Sequence, residues 1–325
     1  MAITTDITLA VEQLRRGGVV AFPTETVYGL GADASNPAAT QRIFTIKGRP
    51  ANHPLIVHIG DAGMMPEWAR EIPPAARRLA GCFWPGPLTL ILKRGKAPME
   101  VTGGQDSVGL RMPDHPVALE LLRAFGGGIA APSANRFGRV SPTRAVHVRD
   151  ELGDDVDLIL EGGNCRVGLE STILSLIDEQ PRLLRPGAIS QAELEIALGE
   201  TILTGTQTTV RAPGMLDSHY APHTRMLICP TENLVAAAVN LISQNQRLAV
   251  MQRTPLQFSA GILTWPMPEH ATGYGQALYA ALRDLDQRGL DVILVEQPPD
   301  DPAWRAINDR LGRASHDVRQ SLAEP

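Results

Sequence analysis

The 325-residue chain has the composition of an ordinary globular protein, with 43% hydrophobic and 20% charged residues. This length exceeds that of most single domains, so two domains are expected. The 3 cysteines are far apart and lack a C-x-x-C spacing, which excludes a disulfide framework or zinc ribbon and fits a reducing compartment. The start of the chain lacks a signal-peptide pattern, and no run reaches the ~18 apolar residues of a membrane span. The sequence therefore predicts a cytoplasmic protein.

The net charge of −5 is unevenly distributed along the chain. Residues 40–149 carry 15 Lys and Arg against 7 Asp and Glu, or +8, whereas residues 150–200 carry 3 against 12, or −9. Only 3 of the 30 basic residues are lysines, and the arginine fork suits carboxylates and phosphates. Genomic base composition would explain the arginine bias equally well. The charge pattern favours a compact anionic ligand, with a folded RNA as the alternative.

Eight apolar runs of β type mark the first part of the chain, and helix-like stretches separate several of them. The runs are GGVVAF, PLIVHI, PLTLILK, SVGLRM, GGIAAP, DLILEG, STILSLI and PRLLRP, and the helical stretches are NPAATQRIFTIKG and HPVALELLRAFG. Asn36 and Pro37 open the first helix as N-cap and first-turn residue. Because helices and Gly/Pro turns separate the strands irregularly, the pattern predicts a mixed, twisted α/β sheet in a domain over residues 1–203.

Residues 204–224 have the Thr, Gly and Pro content of a connection and lack helical or strand periodicity. Strands are predicted after them at RMLICP, RLAVMQ, AGILTW and DVILVE, with helices at about 232–244, 275–287 and 302–311. This alternation indicates a small, mostly parallel, Rossmann-like sheet over residues 225–325.

Several common catalytic signatures are absent from the sequence. It contains no G-x-x-x-x-G-K-[ST] loop, no G-x-S-x-G elbow and no H-E-x-x-H motif. The string GGGIAA at residues 126–131 is similar to part of a dinucleotide fingerprint, but a strand end and a polar turn follow it instead of a helix. His219 and His223 are four residues apart, and Pro222 interrupts the helix that a metal pair would need. No metal site of protein side chains is predicted.

Polar side chains cluster where the predicted strands of the first domain end. They are Thr24, Glu25, Thr26, Tyr28, Lys47, Arg49, His53, His58, Ser107, Arg111, Ser133, Asn135, Ser141, Ser171 and Arg185. Ligands of open α/β sheets bind at such ends. The KGR segment offers two cations to a polyphosphate, and PSAN offers a hydroxyl, an amide and turn N–H groups. Taken singly, KGR also fits a helix C-cap, PSAN a turn and His58 a core histidine.

Seven motifs occur in an order that resembles one family. FPTETVYGLG, KGRPANHPL, WPGPLTLIL, VGLRMPDHP, APSANRFGRVSPT, GLESTILSL and LLRPGAI are similar to the YrdC-like domain of threonylcarbamoyl-AMP synthases, over roughly residues 5–200. APGMLDSHYAPHT and the small domain after it resemble the linker and C-terminal domain of the long, two-domain form. The resemblance thus extends over nearly the whole chain.

The resemblance implies a reaction in which L-threonine, bicarbonate and ATP give threonylcarbamoyl-AMP and pyrophosphate, for threonylcarbamoyl-adenosine in tRNA. The carbamate of threonine attacks the α-phosphate, so no protein nucleophile is required, and Mg²⁺ is expected to enter with ATP. Catalysis then rests on positioning and charge stabilisation. The implied partners are the downstream tRNA threonylcarbamoyl transferase complex and, as an open question, tRNA itself.

Residue by residue, the resemblance divides the polar positions between two substrates. Threonine is expected at Thr26, His58, Arg111, the backbone of Ala131 and Ser171, with Arg111 as the bidentate partner of its carboxylate. ATP is expected at Lys47, Arg49, His53, Ser107, Ser133, Asn135, Ser141, Arg185 and Tyr220, with Lys47 and Arg49 as the catalytic cations. The PTET hydroxyls would face the threonine, and Tyr28 would shape the floor of the site.

Two positions depart from the family pattern. His53 stands where asparagine is expected before Pro-Leu, which predicts that ATP affinity changes with pH near neutrality. Asp217 adds a negative charge to the linker and weakens the predicted contact of Tyr220 with the nucleotide. Residues 204–224 are nevertheless predicted to cross the mouth of the ATP pocket as a lid that excludes water.

Two other functions stay open from the sequence. An RNA-binding module would use the basic residues of 40–149 and would need no ATP. A carbamoyl-adenylate enzyme with another acceptor, as in hydrogenase maturation proteins, shares a similar domain. Those proteins also carry acylphosphatase-like and zinc-finger regions, which this sequence does not contain.

Overall fold

A computed structural model describes residues 2–205, 208–215 and 219–315, which form two compact units. The first unit comprises the residues up to Phe137 together with Ser141–Met215. The second comprises Gly138–Val140 and the described residues that follow Met215. Within this second unit, Ala221 N donates to Gly138 O at 2.9 Å. Nothing in the sequence pattern indicates that residues 138–140 group with the C-terminal part of the chain.

In the described part of the first unit, eleven strands form one mixed sheet. They are β1 (Ala2–Thr4), β2 (Val20–Phe22), β3 (Gly29–Asp33), β4 (Ile56–His58), β5 (Leu88–Lys93), β6 (Ser107–Arg111), β7 (Ile129–Ala130), β8 (Leu158–Leu160), β9 (Thr172–Ser175), β10 (Arg182–Arg185) and β11 (Leu203–Thr204). The strand order is β1-β8-β2-β3-β7-β4-β6-β5-β9-β10-β11. Parallel pairs such as β4–β6 alternate with antiparallel pairs such as β5–β6, which confirms the predicted mixed sheet.

The helices of this unit include both predicted ones. They are α1 (Ile7–Arg15), α2 (Pro37–Lys47), α3 (Met65–Trp68), α4 (Pro74–Phe83), α5 (Met99–Thr102), α6 (Pro116–Phe125), α7 (Ala145–Leu152) and α8 (Gln191–Leu198). In α2, the Asn36 side chain accepts the N–H groups of Ala38 and Ala39, and Pro37 occupies the first turn. Gly48 ends this helix in the left-handed region at φ 63°. The capping signals at Asn36, Pro37 and Gly48 therefore mark the observed ends of α2.

Alternation along the strands places helices on both faces of the sheet. Val20 and Phe22 point into a cluster with α1 and α6, whereas Val19 and Ala21 point into the larger cluster that includes α2, α4 and α8. This burial on both faces explains why β2 and β8 read as continuous apolar runs.

The second unit is a parallel α/β sheet. Its strands are β12 (Arg225–Cys229), β13 (Leu248–Gln252), β14 (Leu263–Pro266) and β15 (Val292–Glu296), in the order β12-β15-β13-β14, and its helices are α9 (Leu234–Ser243), α10 (Ala271–Asp286) and α11 (Arg305–Ala314). All the pairings among these strands are parallel, as expected. Helix α10 begins four residues before its predicted start, because Tyr274 and Gly275 are buried and packing outweighs the weak helix propensity of glycine. In the ranges described, no helix has both the length and the apolar character needed to cross a membrane.

Candidate active site

The loop between β2 and β3 is held in shape by the Thr24 side chain. The Thr24 hydroxyl donates to Val27 O at 2.6 Å, and its oxygen accepts the N–H groups of Thr26 and Val27, both at 3.2 Å. The Thr26 hydroxyl lies 2.8 Å from the same oxygen. Since Val27 takes the single proton of Thr24, Thr26 is the donor in this last bond. Thr24 therefore forms the turn, and Thr26 retains lone pairs that can accept from a ligand.

Three loops meet at Tyr28. Tyr28 N donates to Pro142 O and Ala134 N donates to Tyr28 O, both at 2.8 Å. The Tyr28 hydroxyl donates to Gly163 O at 3.0 Å, and burial raises its pKa. These bonds bring the PTET loop, the PSAN segment and the SPT segment to one place in the first unit.

Arg111, the last residue of β6, is paired with Glu25 of the PTET loop. Arg111 Nη2 lies 2.7 Å from Glu25 Oε1, and the two side chains are 5% and 0% exposed. Arg111 Nε also donates to Gly86 O at 3.3 Å. The cation predicted to bind the threonine carboxylate therefore has a buried internal counter-ion, which orients it in the unliganded protein.

His58 ends β4 directly beside Arg111, because the two residues are register partners on parallel strands. Burial, followed by the positive charge of Arg111, lowers the pKa of His58 to about 3. The imidazole is therefore neutral at physiological pH. Its ring meets Phe22 edge-to-face with centroids 6.0 Å apart.

Ser171 and Arg185 form a second hydrogen-bonded group with Thr89. The hydroxyls of Ser171 and Thr89 are 2.8 Å apart. Arg185 Nη2 donates to Ser171 O at 2.9 Å and to Ser171 Oγ at 3.1 Å. Arg185 Nη1 donates to Pro213 O at 3.0 Å. A residue predicted for threonine and one predicted for ATP are thus in direct contact.

Lys47 is buried against the PSAN segment. Its Nζ donates to Ser133 O at 2.6 Å and also to Asn135 O. Burial, and then the nearby charge of Arg49, lowers its pKa well below the usual value. Glu170 contributes the opposite effect on this pKa. Lys47 is therefore held by two carbonyl oxygens, and an anionic ligand beside it would raise its lowered pKa again.

Ser141 and Glu170 lie in the same region, and Ser141 Oγ donates to Glu170 Oε1 at 2.5 Å. Both side chains are buried. The hydroxyl predicted to bind ATP thus has a carboxylate acceptor in the unliganded protein. A phosphate at this position would have to displace or share that hydrogen bond.

Arg49 and His53 both lie against Phe137. The Arg49 guanidinium is 5.6 Å from the Phe137 ring centroid, and its Nη2 donates to Pro54 O at 3.0 Å. His53 meets the same ring edge-to-face at 5.3 Å. Burial, then Arg49 and Arg211, lowers the pKa of His53. The pH dependence predicted for this histidine therefore shifts to the acid side of its ordinary range.

The remaining predicted positions are Ser107, Ala131 and Tyr220, which are not members of the hydrogen-bonded groups described above. Ser107 is the first residue of β6 and is buried. The Ala131 N–H donates to Ile56 O at 2.9 Å. Tyr220 belongs to the second unit, where it stacks on Tyr279 at 5.9 Å. Asp217 lies outside the described residues.

Residues 208–215, the middle of the predicted linker, are docked on the first unit. Val210 and Ala212 pack in a cluster with Ile56, Ile91, Ile173 and Leu184 of the sheet. Arg211 Nη2 donates to Gly103 O at 2.8 Å. This part of the segment is therefore a packed strip in the first unit.

Comparisons with known proteins show the family of this chain. A family model of Sua5, YciO and YrdC proteins, described as telomere recombination, matches residues 12–187, and one described as the C-terminal domain of threonylcarbamoyl-AMP synthase matches residues 189–316. The chain is 39% identical to the threonylcarbamoyl-AMP synthases of Pyrococcus abyssi and Bacillus subtilis, over 95% of its own length and 94% and 92% of theirs. The chain belongs to the threonylcarbamoyl-AMP synthase family.

The same relationship holds at the level of structure. The crystal structure of P. abyssi Sua5 complexed with L-threonine aligns with a TM-score of 0.89 at 37% identity, over 95% of this chain and 94% of that one. As a member of the threonylcarbamoyl-AMP synthase family, the chain is an enzyme of the nucleotidyltransferase type that makes threonylcarbamoyl-adenylate.

The sequence predicts no role for Glu25 beyond its place at a strand end and does not single out Glu170. In the structure Glu25 pairs with Arg111, and Glu170 accepts from Ser141. For Glu25 the usable signal was Arg111, since a buried guanidinium needs a counter-ion. Sequence spacing could not choose Glu25, because Asp106 and Asp114 are nearer to Arg111 along the chain.

Part of the positive excess of residues 40–149 is compensated inside the first unit. Arg42 lies 2.8 Å from Asp157 and Arg136 lies 2.6 Å from Asp155, and both carboxylates belong to the acidic stretch outside this range. Lys47, Arg49 and Arg111 are buried in the site. The charge count therefore overstates the surface available to a polyanion.

Binding of ATP is expected to be accompanied by proton uptake at Lys47. A neighbouring triphosphate favours the charged ammonium, so the pKa of Lys47 rises in the complex, and protons are bound at any pH between the free and bound values. Calorimetric titrations over a series of pH values above about 7, where phosphate groups are largely ionised, should include a range in which the heats depend on the ionisation enthalpy of the buffer. Lys47→Met should abolish this dependence, and buffer-independent heats for the wild type would contradict it.

Proposed function

We propose that this chain joins L-threonine, bicarbonate and ATP into threonylcarbamoyl-AMP and pyrophosphate, and that it does so in the cytoplasm. The main observation in support of the proposal is that the PTET loop contacts the surroundings of two cations, Arg111 and Lys47. Glu25 of the PTET loop holds Arg111, and Tyr28 at its end bonds the PSAN segment on which Lys47 rests. A carboxylate-binding and a phosphate-binding cation are thereby positioned for one reaction.

Threonine would bind at the end of β6. In this arrangement Arg111 receives the carboxylate, and Thr26, neutral His58 and Ser171 surround the rest of the molecule. Ala131 would contribute shape, because its N–H is already bonded to Ile56. A neutral histidine can accept or donate one hydrogen bond without repelling the ammonium group.

ATP would bind along Lys47, Arg49, His53, Ser107, Ser133, Asn135, Ser141 and Arg185, with Mg²⁺ entering as the counter-ion of the triphosphate. The described residues contain no group of three or more His, Cys, Asp or Glu side chains that could hold a metal ion. Lys47 and Arg49 would stabilise the charge that develops on the pyrophosphate as it leaves. Tyr220 is proposed to contact the nucleotide from the linker.

The product is a labile mixed anhydride, so a second enzyme has to consume it soon after release. We place the downstream transferase that modifies tRNA in this role. Direct tRNA binding by this chain is the less favoured alternative, because Arg42 and Arg136 are paired with Asp157 and Asp155, and Lys47, Arg49 and Arg111 are buried. Steep salt dependence of RNA binding in the absence of ATP would favour that alternative.

Pyrophosphate release tests the proposed reaction directly. The purified protein is incubated with ATP, magnesium, bicarbonate and threonine, and each component is omitted in turn. Release should require threonine and bicarbonate together. Release that persists without either one would refute the synthase function.

Residues 204–224 are proposed to act as a lid over ATP, anchored by the docked strip at 208–215. Arg185 links the two, because it is a proposed ATP ligand and donates to Pro213 O at 3.0 Å. Closure would keep water from the carbamate and the anhydride. ATP with threonine should therefore slow proteolytic cleavage within 204–224 several-fold, with cleavage elsewhere in the chain as the reference. An unchanged rate would make the segment a tether.

A further inference from the structure

Glu25 is a buried carboxylate whose oxygens lack hydrogen-bond donors. It is 0% exposed, and within the described ranges no group donates a hydrogen bond to either oxygen. Arg111 Nη2 is 2.7 Å from Oε1, yet its N–H bonds are not directed along a hydrogen bond. A buried carboxylate is unfavourable until hydrogen-bond donors satisfy it. Glu25 is therefore prepared for a ligand group that is both cationic and a donor.

The next residue along the loop supplies a second acceptor. Thr26 gives its hydroxyl proton to Thr24 at 2.8 Å, so the Thr26 oxygen can only accept from a ligand. It is also 0% exposed. Consecutive residues of this loop thus offer buried acceptors, which favours a ligand group that carries N–H donors.

The pairing of Glu25 with Arg111 matches the charges of a free amino acid. An α-amino acid carries its carboxylate and its ammonium on the same carbon, so a receptor for both needs an anion beside a cation. Arg111 and Glu25 provide this pair at 2.7 Å. An arginine alone would bind the carboxylate but would repel the ammonium group.

The ammonium of threonine has to lose a proton before it reacts. Its nitrogen has no lone pair while protonated, so it cannot bond to the carbon of bicarbonate. The overall step converts R–NH₃⁺ and HCO₃⁻ into R–NH–COO⁻, water and one proton. The C–N bond forms, a C–O bond of bicarbonate breaks to release water, and the remaining proton needs an acceptor.

We propose that Glu25 binds the ammonium group of the substrate threonine and takes up the proton that this nitrogen releases as the carbamate forms. The inference rests on the proposed function, because it assumes that threonine binds at Arg111. Glu25 then changes from carboxylate to carboxylic acid in the same step. Arg111 remains paired with the substrate carboxylate while its internal counter-ion is neutralised.

The other titratable groups around Glu25 are poorly suited to this role. His58, which faces Arg111, has a pKa lowered to about 3 by burial. Burial and the charge of Glu25 raise the pKa of Cys165 to about 12, so its thiol stays protonated. His115 is bonded to Gly162 O at 3.2 Å, and burial lowers its pKa. Glu25 is the carboxyl group among them.

Ligand affinities test the recognition part of the proposal. Threonine is compared with 3-hydroxybutanoate, which keeps the carboxylate and the hydroxyl but lacks the amine. The wild type should bind threonine about tenfold or more tightly than this analogue. Glu25→Gln should lose about 10- to 100-fold in threonine affinity, since a charge-assisted hydrogen bond is removed. Its affinity for 3-hydroxybutanoate should stay constant or rise, because Arg111 is no longer neutralised.

The pH dependence of kcat/KM for threonine tests the proton transfer. In Glu25→Gln only the unprotonated amine reacts, so kcat/KM should rise about tenfold per unit between about pH 7 and pH 9, whereas the wild type should change little. Bicarbonate speciation affects both proteins equally. Glu296→Gln alters a buried carboxylate of the second unit and should keep the wild-type slope. Glu25→Asp should restore part of the wild-type slope.

Several results would overturn the inference while leaving the proposed function intact. They are equal affinity of the wild type for threonine and 3-hydroxybutanoate, or a Glu25→Gln variant with wild-type ligand preference and pH slope. The affinity comparison needs no variant, so it decides the matter even if Glu25→Gln fails to fold. By contrast, a wild type that releases no pyrophosphate with all four components refutes the proposed function itself.

Discussion

Replacement of Arg111 by lysine is expected to weaken threonine binding by about 10- to 100-fold, because charge-assisted hydrogen bonds contribute about 1.5–3 kcal/mol. Lysine keeps the positive charge near Glu25 but cannot form the two parallel bonds of a guanidinium to a carboxylate. It also loses the bond from Nε to Gly86 O that fixes the direction of the side chain. ATP affinity should stay within about twofold, since the contacts of Lys47 involve other residues.

Calorimetry with each substrate separately measures this split. Arg94→Lys is the matched control, because Arg94 lies in the same unit, 3.8 Å from Asp106, and should leave both affinities unchanged. Arg111→Ala is expected to be more severe, because it leaves Glu25 buried without its cation and should destabilise the fold by about 3–5 kcal/mol. An equal loss of ATP and threonine affinity in Arg111→Lys would assign Arg111 to the phosphates.

Local sequence signals were sufficient for the elements that they specify. All eight apolar runs of the first domain contain strands, and Asn36, Pro37 and Gly48 mark the ends of α2. The missed strand β3 contains GLGAD, where two glycines lower strand propensity. It forms because β2 and β7 pair with it on either side. Pairing with neighbouring strands thus determines the secondary structure of a segment whose local sequence does not.

The candidate site shows the same division between local and long-range information. Strand ends and motif order predict Arg111 and Lys47 as site residues. Their partners could not be predicted from local sequence, because Glu25 and Arg111 are 86 residues apart along the chain. Lys47 and Ser133 are separated by a similar number of residues. Such pairs depend on how a mixed sheet orders its strands, which composition and periodicity do not specify.

Lys47 and Arg49 provide the second large effect, because their charges are coupled before any ligand binds. Arg49 contributes to the lowered pKa of Lys47, which shows that the two cations repel each other in the buried site. Lys47 donates to the carbonyl oxygen of Ser133, and the Arg49 guanidinium lies over the Phe137 ring. A triphosphate between them would relieve this repulsion and be stabilised by both charges.

Lys47→Met and Arg49→Met are therefore each expected to lower kcat/KM for ATP by about 100- to 1,000-fold, the range for loss of one preorganised charge-stabilising group. The double variant should lose less than the product of the two, with a coupling energy of about 0.5–3 kcal/mol. Removing Arg49 takes away a charge that lowers the pKa of Lys47, and removing either residue already disrupts their common target. Initial rates of pyrophosphate release give the double-mutant cycle, and Arg70→Met combined with Arg49→Met is the control pair. Arg70 is about half exposed and bound to Asp106, so that pair should be additive within about 0.5 kcal/mol. If the losses in kcat/KM for Lys47→Met and Arg49→Met are as additive as those of the control pair, the two cations do not act on the same phosphates.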